Sequence, residues 1–239
     1  MQQAACQLDF TPVQAIIFDL DDTLYPEVKY VRSGFQAVAG YLAQIAKGAN
    51  EQQLFDILWK HFQAGDRTRV FNAVLAELGT SLKPASPKIE DLVTFYREHR
   101  PNIQLDPATR QLLENLQKRY PLGLLTDGYL PAQKYKVEAL AIRDNFDHII
   151  YTEALGRAHW KPSPRGFEKM AEALDCSPQQ CVYIGDNPAK DFIAPNQLGW
   201  MTIQIALSQG VHRDQPADSA AAADLTLARL SDLTAYLLT

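Results

Sequence analysis

The sequence predicts an α/β protein: a doubly wound parallel sheet with a helical bundle inserted after its first strand. Three observations carry this. Short β-branched and aliphatic runs alternate with helical periodicity through the C-terminal half, the pattern of βαβ units. Residues 26–100 hold no strand-like run and show helical spacing only. A cluster of aspartates follows the first strand, where open parallel sheets bind their ligands.

The run Val13-Gln14-Ala15-Ile16-Ile17 has the length and β-branched content of a buried strand, and Phe18-Asp19-Leu20-Asp21-Asp22-Thr23-Leu24-Tyr25 follows it directly. Apolar residues then recur at helical spacing: Phe35, Val38, Ala39 and Leu42; Leu54, Ile57, Leu58 and Phe62; Val70, Val74 and Leu78. Gly48-Ala49-Asn50 and Gly79-Thr80 read as helix stops and residues 83–87 as a loop, so about four helices are expected. Asp106-Pro107 opens a further helix to residue 120, with Asp as N-cap and Pro in the first turn. Strands are predicted at 121–126, 148–151, 180–185, 201–205 and 225–227, and helices at 130–141, 164–174 and 188–198; residues 219–223 read as an alanine-rich loop. The expected organisation is an α/β core formed by residues 1–25 and 101–239, with a helical cap at 26–100.

The 239 residues are 46% hydrophobic and 21% charged, ordinary values for a globular protein that buries a real core. A net charge of −5 argues against nucleic acid as a partner, since phosphate backbones call for clustered Lys and Arg. No stretch approaches the roughly 20 apolar residues of a membrane span. The first twelve residues lack the regions of a signal peptide. Cys6, Cys176 and Cys181 form an odd set without metal-ligand spacing, as expected of a reduced cytoplasmic protein, monomer or homodimer. The five histidines, His212 among them, show no paired spacing for zinc.

Asp19 and Asp21 emerge together where the first strand ends. Alone, the segment would also fit a solvated acidic turn capped by Thr23. A carboxylate can attack an electrophile, and its neighbour can hold a proton for a leaving group or support a cation. Three later segments share this polar chemistry: Leu124-Leu125-Thr126-Asp127-Gly128, Trp160-Lys161-Pro162, and Val182-Tyr183-Ile184-Gly185-Asp186-Asn187 with Asp191 beyond.

In order, spacing and chemistry, these four segments resemble the motifs of the haloacid dehalogenase-like superfamily, most closely its helical-cap phosphatases, over residues 16–205. The resemblance implies a Rossmann-like core and a Mg²⁺-dependent phosphatase acting on a small phosphorylated metabolite, a sugar phosphate or a nucleoside monophosphate. It makes Asp19 the nucleophile that forms an aspartyl-phosphate, and Asp21 the general acid and then base. True dehalogenases attack carbon and need no acid at that position. Thr126, with the backbone of Asp127 and Gly128, would bind phosphate, and Lys161 would neutralise its charge. Asp19, Asp21 and Asp186 would hold the metal, while Asp191 would ligate through water or bond Lys161. One position departs from the family pattern: Asn is usual where this chain has Asp127, so the Asp127 side chain should turn away, or meet a group in the cap or substrate, and leave only its backbone facing the phosphate. A phosphomutase, or a non-catalytic phosphometabolite-binding protein, remains an alternative. Arg32, Arg67, Arg69 and Asn72 are candidates to meet the rest of the substrate.

Overall fold

The computed structural model describes residues 8–46, 48–65, 67–79, 87–206 and 219–238. Cys6, Thr80, residues 83–86 of the expected loop and His212 lie outside the described residues. The chain divides into two compact units. One runs through Glu27, takes up Gln104–Gln133 and continues from Leu140; the other comprises Val28–Ile103 and Lys134–Ala139.

The first unit is built on strands β1 (Ala15–Phe18), β2 (Leu122–Thr126), β3 (His148–Tyr151), β4 (Cys181–Gly185), β5 (Met201–Ile205) and β6 (Leu225–Leu227). They form a six-stranded sheet in the order β3-β2-β1-β4-β5-β6, every pairing parallel. β1 is central: successive strands add outward on one side to β3 and on the other to β6. Strand order therefore reverses at β1, the topological switch point where open sheets place their sites. β1, β2 and β4 are buried along their whole length, which is why they read as continuous apolar runs. One face of the sheet packs Ile17, Leu125 and Tyr183 against Phe167, Met170, Phe192 and Trp200.

In the second unit the helical run resolves into α1 (Glu27–Ile45), α2 (Glu51–Gln63), α3 (Val70–Leu78) and α4 (Ile89–Glu98), with α1 beginning one residue inside the first unit. Asn50 caps α2 by accepting the N–H groups of Gln52 and Gln53. Phe35, Val38, Leu42, Leu54, Leu58, Val74 and Leu92 form its core, while Ile57 and Phe62 pack at the margin. Gly34 on α1 is needed because the Tyr96 ring of α4 lies where a Cβ would stand.

Helices α5 (Pro107–Leu116), α6 (Leu130–Leu140) and α7 (Arg165–Ala173) begin where the sequence places them, within a residue. The exception is the helix expected at 188–198. Only Ile193–Leu198 is helical (α8), and residues 188–192 form turns and bends. Asn187 Oδ1 accepts the Ala189 N–H, and Asp191 Oδ2 accepts those of Asp186 and Asn187. Short polar side chains that satisfy the backbone locally compete with helix in this way. A short helix, α9 (Thr234–Leu237), closes the described chain.

Candidate active site

The central strands β2, β1 and β4 end side by side, at Thr126, Phe18 and Gly185, with Asp19 and Asp186 the next residues of β1 and β4. Asp19 is placed by the sheet itself, because its N–H continues the ladder to the Ile184 carbonyl at 2.8 Å. Beyond it the backbone turns sharply at Asp22, whose φ is +54°, a left-handed conformation that Asp tolerates better than most residues. The Asp22 carboxylate then accepts the Glu27 N–H at 2.8 Å, at the head of α1. One residue before it, Asp21 is held at both oxygens: the Tyr25 hydroxyl donates at 2.5 Å and Gln133 Nε2 at 3.1 Å.

Lys161 follows β3 and precedes Pro162 through a cis peptide bond. Its ammonium, 1% exposed, contacts Asp19 Oδ1 at 2.5 Å, Asp191 Oδ1 at 2.7 Å and the Tyr183 hydroxyl at 2.9 Å. An ammonium has three N–H donors, and all three are engaged. Of the two roles open to Asp191, the bond to Lys161 is therefore present directly. The other Asp191 oxygen is pressed against the backbone, and Gly185 makes room for it: a Cβ there would stand 2.7 Å from Asp191 Oδ2.

Asp127 turns its carboxylate away from the end of β2, the first of the two placements expected of an acid beside phosphate. It accepts the Thr152 hydroxyl at 2.6 Å and the Lys161 N–H at 3.2 Å to each oxygen, so it fixes the backbone of the lysine. Its carbonyl accepts Gln133 Nε2 at 2.7 Å. Gly128, at φ +130°, has no Cβ to collide with the Gln133 amide that reaches past it. Thr126 is buried, its hydroxyl meeting, among the described residues, only the Asp127 carbonyl at a long 3.5 Å.

The electrostatics are set by burial. Burial pushes the Asp19 carboxyl up to about 6, with Lys161 pulling against it and Asp191 adding to it. Asp186 is driven further, to about 9, by burial and by the Asp191 and Asp19 carboxylates. Burial works the same way on Asp191, but Lys161 and Lys190 outweigh it and hold this carboxyl below the usual range. Burial disfavours the charged Lys161, yet Asp19 and Asp191 hold its pKa well above normal.

Every residue expected to be catalytic, phosphate-binding or metal-holding, except Asp191, lines a cavity of about 340 Å³, as does Lys190. Carboxylate oxygens of Asp19, Asp186 and Asp191 lie within 4.8 Å of one another. The Asp21 carboxylate stands outside that trio. Sequence reasoning missed Lys190, Gln133, Trp160 and Tyr183. Trp160 and Tyr183 lie inside the very segments that flag the site, but a lone aromatic beside a strand reads as core. The Trp160 indole N–H and Gln133 Oε1 are buried without hydrogen-bond partners among the described residues. In the helical unit, the Arg32 guanidinium lies over the Phe55 and Trp59 rings at 5.1 and 5.4 Å and Arg67 over Phe62 at 5.3 Å; Arg69 and Asn72 are exposed. Among the described residues no helix is long and apolar enough to cross a membrane.

This architecture is that of a Rossmann-like α/β hydrolase. Residues 13–199 match the haloacid dehalogenase-like hydrolase family, and the chain belongs to it. It is 27% identical over 202 residues to glyceraldehyde 3-phosphate phosphatase of Methanopyrus kandleri, covering 81% of this chain and 84% of that protein. It is 25% identical to phosphoserine phosphatase of Thermus thermophilus, covering 92% and 98%. Among solved structures it resembles the magnesium-bound HAD-hydrolase YfnB of Bacillus subtilis, with a TM-score of 0.67 and 19% identity over 95% of this chain and 99% of that one.

Proposed function

We propose that this protein is a Mg²⁺-dependent phosphatase that hydrolyses a small phosphorylated metabolite through an aspartyl-phosphate on Asp19. The observation that carries this reading is the pairing at the end of β1. One Asp19 oxygen is held by Lys161, the other accepts no hydrogen bond among the described residues, and Asp21 stands two residues on as a second carboxylate in the same cavity. Asp19 attacks phosphorus, and the bond from phosphorus to the leaving oxygen breaks as Asp21 gives that oxygen a proton. Asp21 then takes a proton from the water that attacks the aspartyl-phosphate, releasing phosphate and restoring Asp19. Tyr25 and Gln133 keep Asp21 aimed for both transfers. Thr126, the backbone of Asp127 and Gly128, and Lys161 support the phosphoryl group. An acid at position 21 favours phosphoryl transfer over carbon–halogen chemistry.

The donor set fits a hard divalent cation. It consists of carboxylate oxygens, and the repulsion that adds to burial in lifting Asp186 is the charge excess such an ion removes. Asp19 and Asp186 would hold Mg²⁺, since both Asp191 oxygens serve Lys161 and the backbone and Asp21 serves as acid and base. When bound, the ion offsets carboxylate charge and polarises the phosphoryl oxygens. Substrate choice we assign to the helical unit, inserted directly after Asp21, with Arg32, Arg67, Arg69 and Asn72 as its polar candidates. The relatives named above act on glyceraldehyde 3-phosphate and phosphoserine. A phosphate-release screen should therefore start with these two and extend to sugar phosphates and nucleoside monophosphates, with Mg²⁺ and with EDTA. Release from at least one ester, abolished by EDTA, is the expected result; none from any ester would overturn the reading.

A further inference from the structure

Two lysines line the cavity, and they are in opposite situations. Lys161 has all three donors committed to Asp19, Asp191 and Tyr183 and exposes 1% of its side chain. Lys190 exposes 31% of its side chain, and among the described residues its nearest carboxylate is that of Asp127 at 3.8 Å, too far for a hydrogen bond. Its backbone is nevertheless fixed, because its N–H donates to the Asn187 carbonyl at 3.1 Å and Ala189 is tied to the Asn187 side chain at 3.0 Å. The same cavity is lined by Asp19, Asp21, Glu27, Asp127 and Asp186. An anionic ligand entering it meets acids in excess and a catalytic lysine with no donor to spare.

We infer that Lys190 is a further residue that binds the phosphoryl oxygens of the incoming ligand, with Asp127 as the carboxylate closest to its ammonium. The inference rests on the phosphatase reading for its substrate, but not for its first test. Asp127 thereby has two functions of opposite sign. Through the Thr152 hydroxyl and the Lys161 N–H it positions the catalytic lysine; through its charge it competes with phosphate for Lys190. Asn at this position keeps an acceptor oxygen for the first function and lacks the charge of the second.

The test is binding of inorganic phosphate in the presence of Mg²⁺, followed by calorimetry, which needs no turnover. Lys190→Met should weaken phosphate by about ten-fold, the worth of a hydrogen bond to a charged group, and Lys190→Arg should restore most of it. Asp127→Asn should tighten phosphate by about three-fold, in the range of a partly exposed ion pair. In the Lys190→Met background the Asp127→Asn effect should vanish. A purely structural pair would give weakening in both single variants, and that result overturns the inference, as does unchanged binding in Lys190→Met. Circular dichroism spectra and melting temperatures identify a variant that has lost its fold, in which case Lys190→Gln replaces Lys190→Met. In turnover of nitrophenyl phosphate the Lys190→Met change should appear in KM more than in kcat. If the wild type binds phosphate through Lys190 yet hydrolyses no ester, the function fails and the anion site stands.

Discussion

The sheet unit and the helical unit fill their interiors with different chemistry. Inside the helical unit the buried positions are overwhelmingly apolar or aromatic, and its buried cation, Lys136, lies over the Tyr30 ring at 4.1 Å. In the sheet unit the strand ends bury Asp19, Lys161 and Asp191 together, with Asp186 beside them. Each buried ion costs several kcal/mol before its partners repay it. The apolar strands behind the site supply the stability against which that cost is set. The difference teaches that substitutions in the helical unit should act through stability, whereas several in the sheet unit should trade stability against activity.

The comparison is broken most severely by Asp19→Asn. This change removes a buried charge while keeping its shape, so the fold should persist. Turnover should fall by at least about a thousandfold, some 4 kcal/mol of barrier. Appreciable activity in steady-state assays of that variant would mean that Asp19 is not the nucleophile.

Leu58→Ala tests the other region. Leu58 is fully buried in the helical core, and its truncation should cost about 3 kcal/mol of unfolding free energy in a denaturant titration. A loss below about 1 kcal/mol would show that this core is loosely packed.

Asp186→Asn sharpens the contrast, because here a site substitution should stabilise. The folded carboxyl titrates at about 9 and an unfolded aspartate at 3.8, so the folded state keeps a proton that the unfolded state has released. The penalty is absent below 3.8, grows as pH rises between those values, and is complete above about 9. Without Mg²⁺ at neutral pH, Asp186→Asn should therefore raise the melting temperature, and the gain should disappear at pH 3. In the wild type Mg²⁺ should also raise it; in the variant most of that response should be lost. A melting temperature lowered in EDTA at neutral pH would contradict the assignment of Asp186 as an uncompensated acid.

The smallest effects belong to the exposed arginines of the helical unit. Substituting Arg69 by Ala should leave stability nearly unchanged and alter KM for a natural substrate several-fold, with less change for nitrophenyl phosphate. If Arg32, Arg67 and Arg69 all leave substrate preference unchanged, selectivity resides elsewhere and Asp127 is the next position to vary.

By itself the sequence determined the parallel sheet, the inserted helices and the segments that meet at the site. Strand periodicity, Asp-Pro and Asn caps, and aspartates after apolar runs are local signals, carried by neighbours in the chain. It also left only the Asp127 backbone to face phosphate, since an acid facing phosphate is unfavourable wherever it stands. Tertiary structure alone decided what each charge touches. Asp127 and Thr152 are 25 positions apart, Asp19 and Lys161 are 142 apart, and no periodicity encodes such pairs. It also moved the start of the helix expected from residue 188 to Ile193, because the Asp191 carboxylate folds back on the N–H groups of Asp186 and Asn187 over a glycine. Lys190 reads as one more surface cation along the chain. Its place in a cavity of carboxylates, beside a lysine already saturated with partners, follows only from the packing of β4 against β1, because the Coulomb energy of a charge depends on distance through space and not along the sequence.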